Sequence, residues 1–133
     1  DVKFSIIGNI GNINRFLLPK NSNVELLGVK KDLSKYLKNS FCGLANLDIA
    51  TGVQGKVLTY MSFGLPVICS NKVAENFGSS VLNYNKQSDL VSGIISLKKN
   101  KTKSEKFSNR SIKFAKKLIW KKVSLKYLKL LSF

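Results

Sequence analysis

The sequence predicts an α/β fold: a parallel sheet flanked by helices, followed by basic C-terminal helices. Three observations carry that prediction. Apolar, β-prone runs of strand length recur along the chain, and Phe41 to Leu47 is too continuously apolar for a strand with one wet face, as in a parallel sheet covered on both sides. Segments with apolar residues at helical spacing separate these runs, and strand-helix-strand order calls for right-handed crossovers. Beyond Lys98 the pattern turns helical and strongly basic.

In chain order, Val2 to Ile7 reads as the first strand, ended by Gly8, and Asn9 to Asn14 as a polar loop. Arg15 to Leu18 has the length of a short helix, stopped by Pro19. Asn23 to Leu27 is the second strand, with Gly28, Val29 and Lys30 as the turn behind it. Asp32 is placed to cap a helix that runs to Lys38 with Leu33, Tyr36 and Leu37 on its apolar side. Phe41 to Leu47 is the third strand. The stretch Thr51 to Ser70 then reads as a loop (Thr51 to Gly55), a helix (Lys56 to Phe63) with Val57, Leu58 and Met61 turned inward, a Gly-Leu-Pro turn and a strand (Val67 to Cys69). Asn71 to Asn76 is expected as a short helix, Ser79 to Leu82 as a last weak strand, and Gln87 to Leu97 as a helix ended by polar Lys98 to Lys103. Ser104 to Phe133 is largely helical. Its apolar residues Phe107, Phe114, Leu118, Trp120, Val123, Tyr127 and Leu130 fit a core-facing stripe better than a platform for stacking nucleic-acid bases.

A chain of 133 residues with 44% apolar content and two prolines has the size and composition of one folded domain with its own core. Cys42 and Cys69 lie inside apolar runs, FCGLA and PVICS, which favours reduced thiols and a cytoplasmic setting over a disulfide. The absence of histidine excludes Ser-His-Asp and Cys-His catalysis within this chain and any zinc site with more than two cysteine ligands. The seven acidic residues are scattered, so no carboxylate pair for glycoside hydrolysis is indicated, and no metal is expected. Net charge is +16, with thirteen lysine or arginine residues after Leu97 against the single Glu105. Such a tail reads as a solvated lysine face, as a surface for anionic lipid, or, least of all, as one for nucleic acid.

The organising stretch is Thr51 to Ser70. The first N–H groups of a helix lack intrahelical partners and the helix dipole adds partial positive charge there, so its start attracts anions such as phosphate. Gly52 and Gly55 let the backbone approach a ligand, Val53 and Gln54 lie between them, and Lys56 adds a full charge. Neither GxGxxG nor GxxxxGK[ST] is present. Read locally, the segment is either an anion seat or an ordinary strand-loop-helix joint.

The run GxxxKVLxYMxxGxPVIxS, from Gly52 to Ser70, resembles the donor-site segment in the C-terminal half of two-domain GT-B glycosyltransferases, in the large retaining group that uses nucleotide sugars. A looser similarity extends through FSIIG, NVELLG and DLSKYL to the aromatic-containing basic end. The resemblance implies a Rossmann-like donor-binding domain over residues 1–103 and a helical segment over 104–133. That segment packs on the domain and reaches towards an N-terminal acceptor domain, leaving Trp120 and its neighbours partly exposed. It implies a nucleotide sugar as substrate rather than a cofactor, with the diphosphate held by Gly52, Val53, Gln54, Gly55 and Lys56. Gly28, Val29 and Lys30 are implied near the nucleobase, where a plain β-to-α turn is the other reading. Because the chain opens on Asp1 at the edge of a strand, the expectation is a segment of a longer protein whose N-terminal domain holds the acceptor.

The family pattern carries two glutamates with seven residues between them, the later one on the ribose and the earlier one near the sugar. Thr51 and Thr59 stand at those positions here. A threonine offers one neutral oxygen where a carboxylate offers two charged acceptors, so donor affinity is expected to suffer. The expected function is therefore donor binding for glycosyl transfer in glycan or polysaccharide biosynthesis. The alternatives are a non-catalytic module with a degenerate donor site, or a basic domain for membrane or nucleic acid. The sequence singles out no catalytic residue.

Overall fold

A computed structural model describes residues 1–9, 11 and 23–131. They divide into two compact units, residues 1–35 and 36–133. The expected helix at Arg15 to Leu18 lies outside the described residues.

In the first unit, β1 (Phe4–Ile7) and β2 (Val24–Gly28) pair in parallel, with Phe4 opposite Val24 and a register shift between Ile6 and Ile7. Gly28 ends β2 in a left-handed conformation (φ 66°), and its carbonyl accepts a hydrogen bond from the Gly8 N–H at 3.0 Å. The helix α1 (Ser34–Lys38) follows, its entry marked by the Asp32 carboxylate, which accepts from the Ser34 N–H at 2.8 Å.

In the second unit, β3 (Gly43–Ala45), β4 (Val67–Ser70) and β5 (Leu82–Tyr84) form a parallel sheet in the order β3-β4-β5. The expected class, parallel strands flanked by helices in a Rossmann-like arrangement, is the one observed. Parallel neighbours need crossovers. The helix α2 (Gly55–Ser62) joins β3 to β4, while the short α3 (Asn71–Ala74) and a 3-10 turn (Gly78–Ser80) lead to β5. The core comprises Ala45, Val57, Met61, Val67, Cys69, Val73, Phe77 and Val81. Val57 and Met61 thus face inward as expected, with Leu58 packed at the margin.

The third strand is shorter than the expected Phe41 to Leu47, and beyond Ala45 the Ser70 side chain takes over the hydrogen bonding of Leu47. Its hydroxyl donates to the Leu47 carbonyl at 2.6 Å and accepts from the Leu47 N–H at 3.4 Å. The last strand is displaced from Ser79–Leu82 to Leu82–Tyr84. Gly78 (φ 52°) turns the chain, and the Ser80 N–H donates to the Phe77 carbonyl at 3.1 Å, so the serines complete a turn instead of a ladder.

Three helices close the chain: α4 (Gln87–Lys99), α5 (Lys101–Lys117) and α6 (Trp120–Leu131). The polar stretch Lys98 to Lys103 ends one helix and starts the next, as expected, with the break at Asn100. The helix α5 packs against α2 and sets Phe114 against Phe77, ring centroids 5.3 Å apart. Ser111 is fully buried on α5, and its hydroxyl has no partner among the described residues. The apolar stripe expected for the whole basic end is therefore packed along α5. It is not packed along α6, where Trp120 is 81% exposed.

Candidate functional site

In a crossover between parallel strands the helix runs back against them, so its N-terminus lies at the edge where the strands end. Ligands of open α/β sheets bind along that edge. The start of α2 therefore sits with the ends of β3, β4 and β5.

The loop before α2 is built by local contacts. Gly52 adopts φ 63°, a left-handed conformation that side-chain-bearing residues rarely take. Its carbonyl accepts from the Asn76 amide at 3.0 Å, which ties the loop to the segment after α3. Gln54 is extended at the N-cap position (φ −78°, ψ 118°), and its side-chain amide turns back to donate to the Thr51 carbonyl at 3.2 Å instead of capping the helix. The N–H groups of Val57 and Leu58 both reach the Gln54 carbonyl, at 3.0 and 3.2 Å. The N–H groups of Gly55 and Lys56 have no partner among the described residues. A Cβ built on Gly52 or Gly55 meets no atom within 4 Å, so the space beside these amides is open. Lys56 and Thr51 are exposed, and so is Val53. The structure thus brings Thr51, Gly52, Val53, Gln54, Gly55 and Lys56 together around two unpartnered N–H groups and one ammonium. That arrangement favours an anion.

Thr59 stands one turn further on, half-buried, with its hydroxyl donating to the Gly55 carbonyl at 3.0 Å. Its proton is engaged, and its oxygen remains able to accept. Gly28, Val29 and Lys30 belong to the first unit. There Val29 is 73% exposed and Lys30 half-buried, while Lys3 hydrogen-bonds Glu25 and holds that carboxyl below its usual range.

A polar set at the strand ends was not singled out by the sequence reading. The Tyr84 hydroxyl donates to Asn46 Oδ1 at 2.6 Å, Asn83 Nδ2 donates to Asn71 Oδ1 at 2.8 Å, and Asn71 Nδ2 donates to Asn85 Oδ1. A signal was present, since a polar side chain follows each apolar strand directly: Asn46 after Ala45, Asn71 after Ser70 and Asn85 after Tyr84. Tyr84 is pushed above the ordinary phenol range by burial, then by Cys69 and Asp48, so it is a neutral donor at physiological pH.

Two open cavities lie nearby. One, about 340 Å³, is lined by Ile68, Leu82, Asn83, Gly93, Ser96 and Lys103; the other, about 440 Å³, by residues including Asn71, Glu75, Gly78 and Asn83. Neither is lined by residues 51–59. Among the described residues no cluster of three or more histidine, cysteine, aspartate or glutamate side chains could hold a metal. Among the same residues no helix is long and apolar enough to cross a membrane. Cys42 and Cys69 are free thiols, each pushed up to about 11 by burial.

No curated protein and no solved structure matches the chain. The family model described as glycosyl transferases group 1 matches residues 1–100, from the first strand through the break at Asn100. With three quarters of its length inside that match, and with the parallel strands and helices described above, the chain belongs to the group 1 glycosyltransferases.

Proposed function

We propose that this chain binds the nucleotide-sugar donor of a glycosyltransferase, with the donor diphosphate at the start of α2. The observation that supports this most is the pair of unpartnered N–H groups of Gly55 and Lys56 beside the Lys56 ammonium, at the ligand-binding edge of a parallel sheet in a glycosyltransferase-family chain. In this reading Gly52, Val53, Gln54, Gly55 and Lys56 hold the diphosphate. Negative charge grows on that group as the glycosidic bond to the sugar breaks, so fixed amide dipoles and a lysine stabilise the leaving group most in the transition state. Lysine supplies the compensating charge without a metal. Thr59 accepts from a ribose hydroxyl, and Thr51 lies towards the sugar. The acceptor is held by an N-terminal domain of the full-length protein, which works in the cytoplasm on a glycan or polysaccharide.

Titration with UDP and with GDP, followed by backbone amide NMR, tests this. Shifts confined to residues 51–59, saturating in the millimolar range, are expected, since neutral threonines hold the nucleoside weakly. Unmoved signals at millimolar nucleotide defeat the proposal.

A second reading is a glycosyltransferase-like module that has lost its donor. What favours it is Thr59, whose hydroxyl proton already goes to Gly55. The double variant Thr51→Glu, Thr59→Glu separates the two. A nucleotide site that appears only in the variant supports the degenerate module, whereas one already present in the parent supports the donor-binding domain.

A further inference from the structure

The loop that leads into α2 is held at few points. Ala50 packs at the margin of the core, but beyond it Gly52 turns the chain at φ 63°. Glycine takes this conformation about as readily as one of negative φ, so Gly52 permits the turn without selecting it. The Gln54 amide bonds the Thr51 carbonyl at 3.2 Å, which braces the loop only against itself. Among the described residues, the bond from Asn76 Nδ2 to the Gly52 carbonyl, 3.0 Å long, is the one hydrogen bond that joins residues 48–53 to another part of the fold.

Asn76 is itself firmly placed. Val73 and Phe77 on either side of it are buried, and the Phe77 ring rests on Phe114. The N–H groups of Asn76 and Phe77 reach back to the Val73 and Ala74 carbonyls at 3.3 and 2.9 Å. The core thus fixes the backbone of Asn76, while its exposed side chain extends to the loop.

We propose that Asn76 is a positioning residue for the donor seat: by holding the Gly52 carbonyl it selects the loop conformation in which the Gly55 and Lys56 N–H groups stand free for an anion. The role rests on the reading of that seat as the diphosphate site. Asn76 touches no reacting atom. It acts by preorganisation, since a seat formed only part of the time binds more weakly in the same proportion.

Asn76→Leu keeps most of the side-chain bulk and removes the donor, and Asn76→Ala removes both. Each is compared with the parent in two measurements on the full chain. Backbone relaxation without nucleotide reads the order of the loop, and titration with UDP and with GDP, followed by amide NMR, reads affinity. Both variants should lower the heteronuclear NOE of residues 51–54 and leave that of β4 and α3 unchanged. Both should weaken nucleotide binding roughly three- to tenfold, the weight of one neutral hydrogen bond. Far-UV circular dichroism checks that the variants fold, as expected for an exposed side chain. Parent-like relaxation in both variants overturns the proposal, and so does undiminished affinity where the parent binds. Loosening that spreads through β4 and α3 overturns it too, because Asn76 then serves the fold at large. A parent that binds neither nucleotide defeats the donor reading instead, and the relaxation measurement, which uses no ligand, still decides whether Asn76 sets the loop.

Discussion

Gly43 shows how a single residue fixes the sheet against α2. A Cβ at this position falls 2.4 Å from Tyr60 Cδ2 and 3.0 Å from Tyr60 Cβ, so only glycine lets the helix lie this close to β3. Tyr60 is held from the α2 side, and burial pushes its phenol above the ordinary range. The variant Gly43→Ala should therefore lose about 1–3 kcal/mol of stability in urea unfolding, the usual cost of overpacking. In the double variant with Tyr60→Leu the two losses should be less than additive, because the smaller side chain relieves the clash. Additive losses would show that the contact is not the cause. At this scale the sequence was legible where one residue type has one use. Gly52 was read as a residue taking a strained backbone conformation before the helix, and it adopts φ 63°. Thr59 was placed correctly on the helix, but the bond from its hydroxyl to Gly55 depends on a rotamer that sequence does not encode. The Asn46, Asn71 and Asn85 set escaped notice because asparagine is common in loops, and only the sheet order brings Asn46 to Tyr84.

Elements with strong periodicity were read nearly to the residue. The observed α2, Gly55–Ser62, differs by one position at each end from the expectation, because Val57 and Met61 leave one way to orient it. Short strands were read less well, since their limits depend on what completes the hydrogen bonding at the ends, as Ser70 does for Leu47. The junction of α4 and α5 is a third case. The polar run Lys98 to Lys103 marks it in the sequence, and Asn100 fixes its position through one contact, its Oδ1 accepting from the Lys103 N–H at 2.8 Å. The Lys103 ammonium also reaches back to Ser96 Oγ at 3.0 Å, so the turn is closed from both directions. Replacing an N-cap asparagine by alanine typically costs ~1 kcal/mol. Asn100→Ala should show a loss of that size in denaturant unfolding, with faster amide exchange confined to the first turn of α5. Asn100→Asp, which keeps the acceptor for the Lys103 N–H, should retain most of the stability that Asn100→Ala loses. If the alanine variant is as stable as the parent, the cap does not hold this junction.

For the molecule as a whole, charge is the property most directly legible in the sequence, and its consequences follow without further geometry. A net charge of +16 on 133 residues opposes compaction, most of it contributed by residues 98–133, where Glu105 is the only acid. The ion pairs Lys3–Glu25, Lys72–Glu75 and Lys101–Glu105 all lie at the surface, where screening keeps them weak. Repulsion among the lysines should therefore outweigh them, and added salt should raise the melting temperature as it shortens the range of that repulsion. Acid should act in the opposite direction for two reasons. Protonating the seven carboxylates raises the net charge, and Glu25, held below its ordinary value of 4.5 by the Lys3 hydrogen bond, binds its proton less readily folded than unfolded. Its contribution is complete above 4.5 and disappears as pH falls through the lowered folded value, so folded protein loses stability in that window. Melting temperatures measured across pH at low and at physiological salt should fall on acidification, more steeply at low salt, with Lys3→Met reducing the acid-dependent part. A melting temperature that drops as salt is added would mean that ion pairs, not repulsion, dominate the electrostatics of this chain.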